Sequence, residues 1–495
     1  MSPLCSKILP FSLLLLFIGC FHGCSGQGGD ASASAPMEEK EKRALYAAIE
    51  GFVGKGWNGS GLYPDPCGWS PIQGVSCDLF NGLWYPTVMS IGPVLDNSLH
   101  CSSDANFTPH LFDLKRLKTL SFYSCFPATN PTPIPATSWD KLAGSLETLE
   151  FRTNPGLTGP IPANLGRLSS LQSLVLVENN LTGAIPAELG ALVNLRRLVL
   201  SGNGLSGQIP ASLGNNNDHL RLTAGDDRHQ LLILDLSNNS LTGSLPSSLG
   251  GLKGLLKMDL SNNLLQGSLP PELAGLSSLT LLDLRNNSFA GGLPSFLQSM
   301  SSLQDLLLSN NPLGGELGQV GWEKLIDLVT LDLSNLGLAG AIPESMAALT
   351  RLRFLALDHN RLSGNVPAKL AEIPSIGAMY LNGNNLTGML RFSPAFYGKM
   401  GRRFASWDNP GLCYNNVAVD AANAPPGVTV CKDVEVAGDG GGGGVRDKVD
   451  GKRKPEVSSS LMATSFGMSA SKVNGFWFLV LVQGMVATSL LFIFL

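Results

Sequence analysis

The segment LQSLVLVENNLTGAIPAELGALVN, residues 171–194, recurs with small changes along most of this 495-residue chain. Its pattern is L-x-x-L-x-L-x-x-N-x-L-x-G-x-[IL]-P, and copies begin 24 or 25 residues apart except near the start and across one insertion. Clear copies begin at Leu171, Leu195, Leu231, Leu255, Leu279, Leu303, Leu328 and Leu352, and weaker ones at Leu117, Leu146 and Ile376. Eleven copies at this period predict a solenoid made by stacking one structural unit many times.

Each unit begins with a short strand, because Leu174 to Leu176 alternates between inward and outward positions. The apolar positions of a unit are spaced to point inward together, as in Leu171, Leu174, Leu176, Leu181 and Ile185. Burying these side chains in one isolated unit does not offset the entropy of ordering its backbone, so the units must stack. The pattern predicts an α/β repeat fold, a right-handed leucine-rich repeat solenoid.

An asparagine follows the strand in most units, where the chain turns out of the sheet. An inward amide at this position can satisfy backbone groups that the bend leaves unpaired. The positions are Asn154, Asn179, Asn203, Asn239, Asn263, Asn287, Asn311, Asn360 and Asn384. Cys125 and Leu336 replace the asparagine in two units, and we expect a local irregularity at Leu336.

Six of the nine cysteines flank the repeats or lie in the first of them. Six cysteines allow fifteen pairings, and their clustering favours Cys67–Cys77, Cys101–Cys125 and Cys413–Cys431. These disulfides would staple caps over the two ends of the solenoid, which otherwise expose apolar surface and open strand edges. Because the chain has no C-x-x-C or Cys/His spacing typical of zinc, we predict no metal site and no cofactor.

Residues 1–26 are predicted to be a secretory signal peptide, with Lys7 before an apolar run and small residues at 24–26. The alternative is an uncleaved anchor, although the apolar run is short for a bilayer. A secreted chain is the setting in which disulfides form. Six glycosylation sequons agree with that setting, and their acceptors are Asn58, Asn106, Asn180, Asn238, Asn286 and Asn385.

Residues 37–113 are predicted to form an N-terminal helix and a cysteine cap. Within the helix, apolar residues from Leu45 to Val53 share one face. The cap pattern W-N-x-S…P-C-x-W…G-V-x-C-D, followed by L-x-G-x-I-P repeats, resembles the plant-specific class of extracellular leucine-rich repeat proteins. Its segment LYPDPCGWSPIQGVSCDLFNGLWY resembles the Piriformospora indica-insensitive group of kinase-less receptor-like proteins. That resemblance implies a solenoid with paired cysteines at both ends and a role in responses to a root endophyte or other microbes.

About eleven repeats are predicted over residues 114–395, and a C-terminal cap over 396–431. An insertion near 212–230 is polar and must loop out, either as a ligand-contacting segment or as a tolerated surface insertion. Residues 432–474 are rich in glycine and charge, which predicts a disordered stalk.

Residues 475–495 form an uncharged apolar tail at the end of the sequence, long enough to span a bilayer. Small residues, a polar spacer and such a tail favour a glycosylphosphatidylinositol signal over a retained transmembrane helix. The candidate attachment residue is Ser465, with Ser458 to Ser460 as alternatives.

The outward positions of the strands form the candidate binding surface, on the concave face of the solenoid. Asp235, Asp259 and Asp283 would form an acidic row, since neighbouring strands lie about 4.8 Å apart. Such a row favours a basic or polyhydroxy ligand, although LDLS is also a common repeat sequence. The full predicted set is Glu150, Arg152, Arg197, Asp235, Lys257, Asp259, Asp283, Arg285, Phe354 and Tyr380.

The sequence gives no support for catalysis, because it lacks the G-x-S-x-G, H-E-x-x-H and P-loop motifs. A net charge of −4 gives no indication of nucleic acid as a partner. We therefore expect a non-enzymatic receptor-like protein on the extracellular face of the plasma membrane. It would bind an extracellular protein, peptide or glycan and signal through a kinase co-receptor. The alternative is a wall-associated inhibitor of the polygalacturonase-inhibitor type.

Overall fold

The computed structural model describes residues 36–93, 98–214, 231–416, 419 and 424–432. Within these residues, fourteen strands form one sheet along the concave face. Neighbouring strands of this sheet are parallel, except for the first pair, which is antiparallel and belongs to the N-terminal cap. Its strands are Val75–Phe80, Leu83–Ile91, Thr119–Tyr123, Thr148–Arg152, Ser173–Val177, Arg197–Val199, Ile233–Asp235, Lys257–Asp259, Leu281–Asp283, Asp305–Leu307, Thr330–Asp332, Phe354–Ala356, Ala378–Tyr380 and Phe404–Ala405. The predicted solenoid is confirmed.

A second row of strands follows the turn in each repeat, and it is divided into two sheets in the described chain. One contains Thr132–Pro133, Leu157–Gly159, Asn180–Ala184, Gly204–Gly207, Ser240–Gly243, Leu264–Gly267 and Ser288–Phe289. The other contains Ala339–Ala341, Arg361–Asn365, Asn385–Leu390, Gly411–Tyr414 and Thr429–Val430. The repeat that begins at Leu303 contributes no strand between them, because Pro312 has no N–H to donate and Gly314 turns the chain with φ of +66°.

The helical part of each repeat is a short 3-10 segment on the side opposite the concave sheet. These segments are Pro109–Asp113, Trp139–Leu142, Ala163–Arg167, Ala187–Ala191, Ala211–Gly214, Ser247–Gly251, Pro271–Gly275, Ser295–Ser299, Leu317–Gln319, Trp322–Lys324, Glu344–Ala348, Ala368–Glu372 and Gly401–Arg403. The core between the segments and the sheet is a continuous column of leucines. In the quoted repeat, Leu171, Leu174 and Leu176 are completely buried, as the pattern predicts.

The N-terminal cap covers one end of this column. Its long helix, Glu39–Val53, buries Leu45, Ile49 and Phe52 completely. The ring of Phe52 lies 4.4 Å from that of Phe122 in the first repeat, so the helix packs directly on the end of the core. A second α-helix, Gly59–Leu62, follows it.

All three predicted disulfides are confirmed. Cys67–Cys77 and Cys101–Cys125 join parts of the N-terminal cap and the first repeat, and Cys413–Cys431 closes the C-terminal end, with Cα–Cα distances of 5.6, 5.1 and 4.9 Å. The α-helix Pro394–Met400 precedes this last disulfide.

The asparagines at the strand ends connect neighbouring repeats. The amide of Asn263 donates to the Leu236 carbonyl of the preceding repeat at 3.0 Å and to its own repeat's Leu260 carbonyl at 3.1 Å. Its Oδ1 accepts from the N–H of Leu241 in the preceding repeat at 3.0 Å. Asn409 makes the same contacts in the C-terminal cap, which adds a twelfth unit that the leucine pattern did not reveal.

In the two units that lack the asparagine, the asparagine of the following repeat accepts hydrogen bonds from the backbone at that position. Asn360 accepts hydrogen bonds from both Leu336 N–H and Leu338 N–H at 3.0 Å. The strand Thr330–Asp332 keeps its register with Asp305–Leu307. The irregularity expected at Leu336 therefore leaves the concave sheet intact, and the second row of strands is interrupted in the repeat immediately before it.

Several sequence predictions lie outside the described residues. They are the signal peptide at 1–26, nearly all of the insertion near 212–230, most of the stalk at 432–474, Ser465 and the tail at 475–495. Among the residues that are described, no helix combines the length and apolar character needed to cross a membrane.

We predict that Asn263→Leu lowers the free energy of unfolding by about 2–4 kcal/mol, because it leaves buried backbone groups without partners. Urea unfolding followed by circular dichroism would measure the effect. Gln266→Ala, a change at an exposed site in the same repeat, is the control and should stay within about 0.5 kcal/mol of the parent. Equal effects of the two changes would contradict a structural role for the amide.

Candidate functional site

The concave sheet places the predicted acidic row as expected. Asp235 pairs in register with Asp259, and Asp259 with Asp283, on three neighbouring parallel strands. Their side chains share the outward face, since the residue directly before each of them, Leu234, Met258 or Leu282, is buried and successive strand residues face opposite sides. The three carboxyl groups therefore form one column across the sheet.

Each carboxyl group is held by the residue two positions later in the sequence, just past the end of its strand. Asp259 Oδ1 accepts from the N–H of Ser261 at 3.0 Å and from its hydroxyl at 2.7 Å. Asp235 makes the same two contacts with Ser237. These neutral donors fix the orientation of the carboxyl groups without cancelling their charge.

Asp283 differs because its charge is paired. Arg285 Nε donates to its Oδ1 at 2.9 Å, and Nη2 donates to its Oδ2 at 2.6 Å. This forked contact is the geometry in which a guanidinium binds a carboxylate best. Arg285 therefore compensates one end of the row and is less available to a ligand than the sequence suggested.

Burial raises the pKa of Asp259 to about 7, and the charges of Asp283 and Asp235 act in the same direction. Burial also raises the pKa of Asp305 and of Asp332, two further acids on this face. The row is therefore partly protonated near neutral pH, and its charge responds to pH or to an approaching cation.

The predicted cations divide between two places. Arg197 and Lys257 lie in register with Ile233, which is two residues before Asp235 in the strand between them. Glu150 and Arg152 form an ion pair within the strand Thr148–Arg152, and the strands Ser173–Val177 and Arg197–Val199 separate that pair from Asp235.

The predicted aromatic pair forms a third group near the C-terminal end of the face. The rings of Phe354 and Tyr380 are 5.6 Å apart at an interplanar angle of 49°. Trp407, two residues after the next strand Phe404–Ala405, has 38% of its surface exposed. Asp358 lies close enough to Tyr380 to help raise its pKa, after the larger effect of burial.

Sequence reasoning missed Trp407 and Asp305 for different reasons. Trp407 belongs to FASWDNPGL, where Phe404 and Ser406 replace the leucines that identify a repeat. Asp305 starts its strand, in the same row as Lys257 and Arg197, and it lies outside the column of central positions that contains Asp235, Asp259 and Asp283. The ten predicted residues thus form three groups on one face.

All six sequon asparagines are exposed, so the described structure leaves each accessible at its surface. Asn286 is engaged on both sides, because it donates to Asn262 Oδ1 at 2.7 Å and accepts from Asn310 Nδ2 at 2.7 Å. Occupancy of these sequons remains a prediction. The described residues contain no group of three or more His, Cys, Asp or Glu side chains placed to hold a metal ion.

We predict that the acidic row makes stability fall as pH rises from about 4 to 7. The folded protein, with the pKa of Asp259 at about 7 against an ordinary value of 3.8, binds more protons than the unfolded chain in this window. The slope has a limit of about 1.4 kcal/mol per pH unit for one group. Asp259→Asn keeps an oxygen for Ser261 and should make this slope shallower in urea unfolding between pH 4 and 8, while the raised pKa values of Asp305 and Asp332 leave part of it in place.

Asp140→Asn, at an exposed position in the 3-10 segment Trp139–Leu142, is the control and should keep the slope. An unchanged pH dependence in Asp259→Asn would contradict the assignment.

Comparison with known proteins agrees with the geometry. Models described as leucine-rich repeats match residues 194–216 and 229–289. Piriformospora indica-insensitive protein 2 of Arabidopsis thaliana is 52% identical over 174 residues, which is 34% of this chain and 40% of that protein. Receptor like protein 29 of the same plant is 35% identical over 178 residues, 34% of this chain and 36% of that protein. The matches thus span well under half the length of these curated relatives.

Among solved structures, a TDR receptor superposes with a TM-score of 0.52 at 28% identity, covering 62% of this chain and 54% of the receptor. The strand register, the disulfide-closed ends and these similarities agree with one another. The described chain has the leucine-rich repeat fold, and 34% of its sequence is similar to each of two plant proteins, one of them a receptor like protein.

Proposed function

We propose that this protein is a cell-surface receptor-like protein that binds an extracellular protein, peptide or glycan on its concave face. The observation that carries the proposal is the uninterrupted outward face of the fourteen-stranded sheet in the described chain. That face holds charged and aromatic side chains that the packing of the core does not require. The names of its relatives support a receptor role.

In this proposal the signal passes through a partner. A kinase-bearing co-receptor would bind the ligand-loaded ectodomain and carry the signal across the membrane. The protein itself would act by binding and not by catalysis, in responses to root endophytes or other microbes, as its similarity to Piriformospora indica-insensitive protein 2 suggests.

We predict that crosslinks to an extracellular ligand concentrate on the concave face. The purified ectodomain would be crosslinked to apoplastic extract and the modified residues mapped by mass spectrometry. Phe354→Ala combined with Tyr380→Ala should reduce ligand capture at least about tenfold, because partly exposed aromatic residues dominate interface energetics. Lys324→Ala combined with Lys369→Ala, on the opposite side, should leave capture unchanged.

Crosslinks found only on the 3-10 segments would contradict the concave site. Co-purification with a receptor kinase in mild detergent would support signalling through a partner. Tight inhibition of a wall hydrolase without such a kinase would favour the inhibitor function instead.

We predict that the protein is held on the outer membrane surface by a glycosylphosphatidylinositol anchor at Ser465 or at Ser458 to Ser460. The apolar tail at 475–495 and the polar segment before it support this prediction. Phosphatidylinositol-specific phospholipase C should release the protein from isolated membranes into the supernatant, while a transmembrane marker stays in the pellet. Retention after complete digestion would instead support a transmembrane helix.

A further inference from the structure

A cavity of about 550 Å³ opens where the second row of strands is interrupted. Its lining includes the turns that follow two concave strands, Asp305–Leu307 and Thr330–Asp332, together with the start of Arg361–Asn365. The volume falls within the range of small-molecule sites. It lies at the edge of the concave sheet, outside the columns that contain Asp259 and Tyr380.

Two departures from the repeat pattern coincide with the cavity. Pro312 and Gly314 keep one repeat out of the second row of strands, and Leu336 replaces the amide that fills the turn in other units. A Cβ added at Gly314 or Gly337 would contact no atom within 4 Å. The cavity is therefore a consequence of these departures from the repeat pattern and not of the repeat fold itself.

The lining is rich in amide groups. Asn286, Asn310 and Asn335 form an exposed row in which each amide donates to the one before, at 2.7 Å from Asn310 and 2.9 Å from Asn335. The row ends in the cavity with Asn335, whose Oδ1 receives no hydrogen bond from the described residues. An amide provides two N–H donors and one acceptor oxygen, so each of these side chains keeps a donor for a ligand.

Arg361 supplies the charge at this site. Its side chain is exposed and lines the cavity, and none of the described acidic side chains forms an ion pair with it. A guanidinium with free donors binds a carboxylate through two parallel hydrogen bonds. The ligand that fits carries one carboxylate beside several groups that both donate and accept hydrogen bonds.

We propose that this cavity binds an acidic sugar, a uronate unit with its carboxylate on Arg361 and its hydroxyls on the amides of Asn310 and Asn335. The cavity has no aromatic lining residue, and its apolar contribution comes from Pro312 and Leu336. The hydroxyls of a sugar match the amides of the lining in both donor and acceptor roles. The site is separate from the concave binding face, so each can be tested without the other.

The assignment is tested by isothermal titration calorimetry, which measures the affinity of the purified full-length protein for galacturonate. Glucose, which has no carboxylate, is the neutral comparison. Arg361→Gln should weaken galacturonate binding at least about tenfold by removing the forked contact. Asn335→Asp should weaken it similarly, because it places a negative charge beside the carboxylate. Arg351→Gln makes the same charge change at an arginine paired with Asp327, away from the cavity lining, and should bind as the parent does.

Absence of galacturonate binding, or equal binding by glucose, would overturn the proposal. It would also be overturned if Arg361→Gln bound like the parent or if Arg351→Gln lost as much affinity. Circular dichroism of each variant checks that the fold is retained, which is expected because Arg361, Asn335 and Arg351 are all exposed. Capture of a ligand by the concave face is measured separately and does not depend on this result.

Discussion

The structure depends on a hydrogen bond that no repeat can make alone. The turn after each strand leaves backbone groups inside the protein, and the asparagine of the following repeat satisfies them. Asn287, for example, accepts from Leu265 N–H at 3.0 Å and donates to the Leu260 carbonyl at 3.0 Å, both in the preceding repeat. A buried backbone group without a partner is costly, so each repeat needs its neighbour and the array folds as a stack.

This arrangement also explains why the second row of strands can be broken. The concave sheet keeps its register across the repeat that contains Pro312, since Asp305–Leu307 pairs on both sides. The interruption is bridged by single backbone contacts, such as Gly314 N–H to the Leu336 carbonyl at 2.8 Å. The leucine core and the concave sheet are therefore what hold the stack of repeats together. The second row of strands can be interrupted without breaking the stack, and the cavity forms at that interruption.

The period of the leucines was sufficient to predict the strands, their register and the acidic column, because inward positions are fixed by burial. Cysteine clustering predicted the three disulfides, since close pairs at the two ends leave few sensible partners. The pattern could not reveal the strand Phe404–Ala405, where an aromatic residue and a serine occupy leucine positions. Nor could it predict that Arg285 pairs with Asp283, because that contact depends on how the two side chains are oriented at the end of the strand.

The acidic column shows how the fold separates stability from function. Packing fixes the inward leucines, but nothing in the core requires Asp235, Asp259 and Asp283 on the outward face. Arg285 neutralises Asp283, whereas the serines beside the other two donate hydrogen bonds without positive charge. Burial and the neighbouring charges of Asp283 and Asp235 raise the pKa of Asp259 to about 7. A cationic group that binds beside it would displace that proton, so ligand binding on this face and proton release are coupled by linkage.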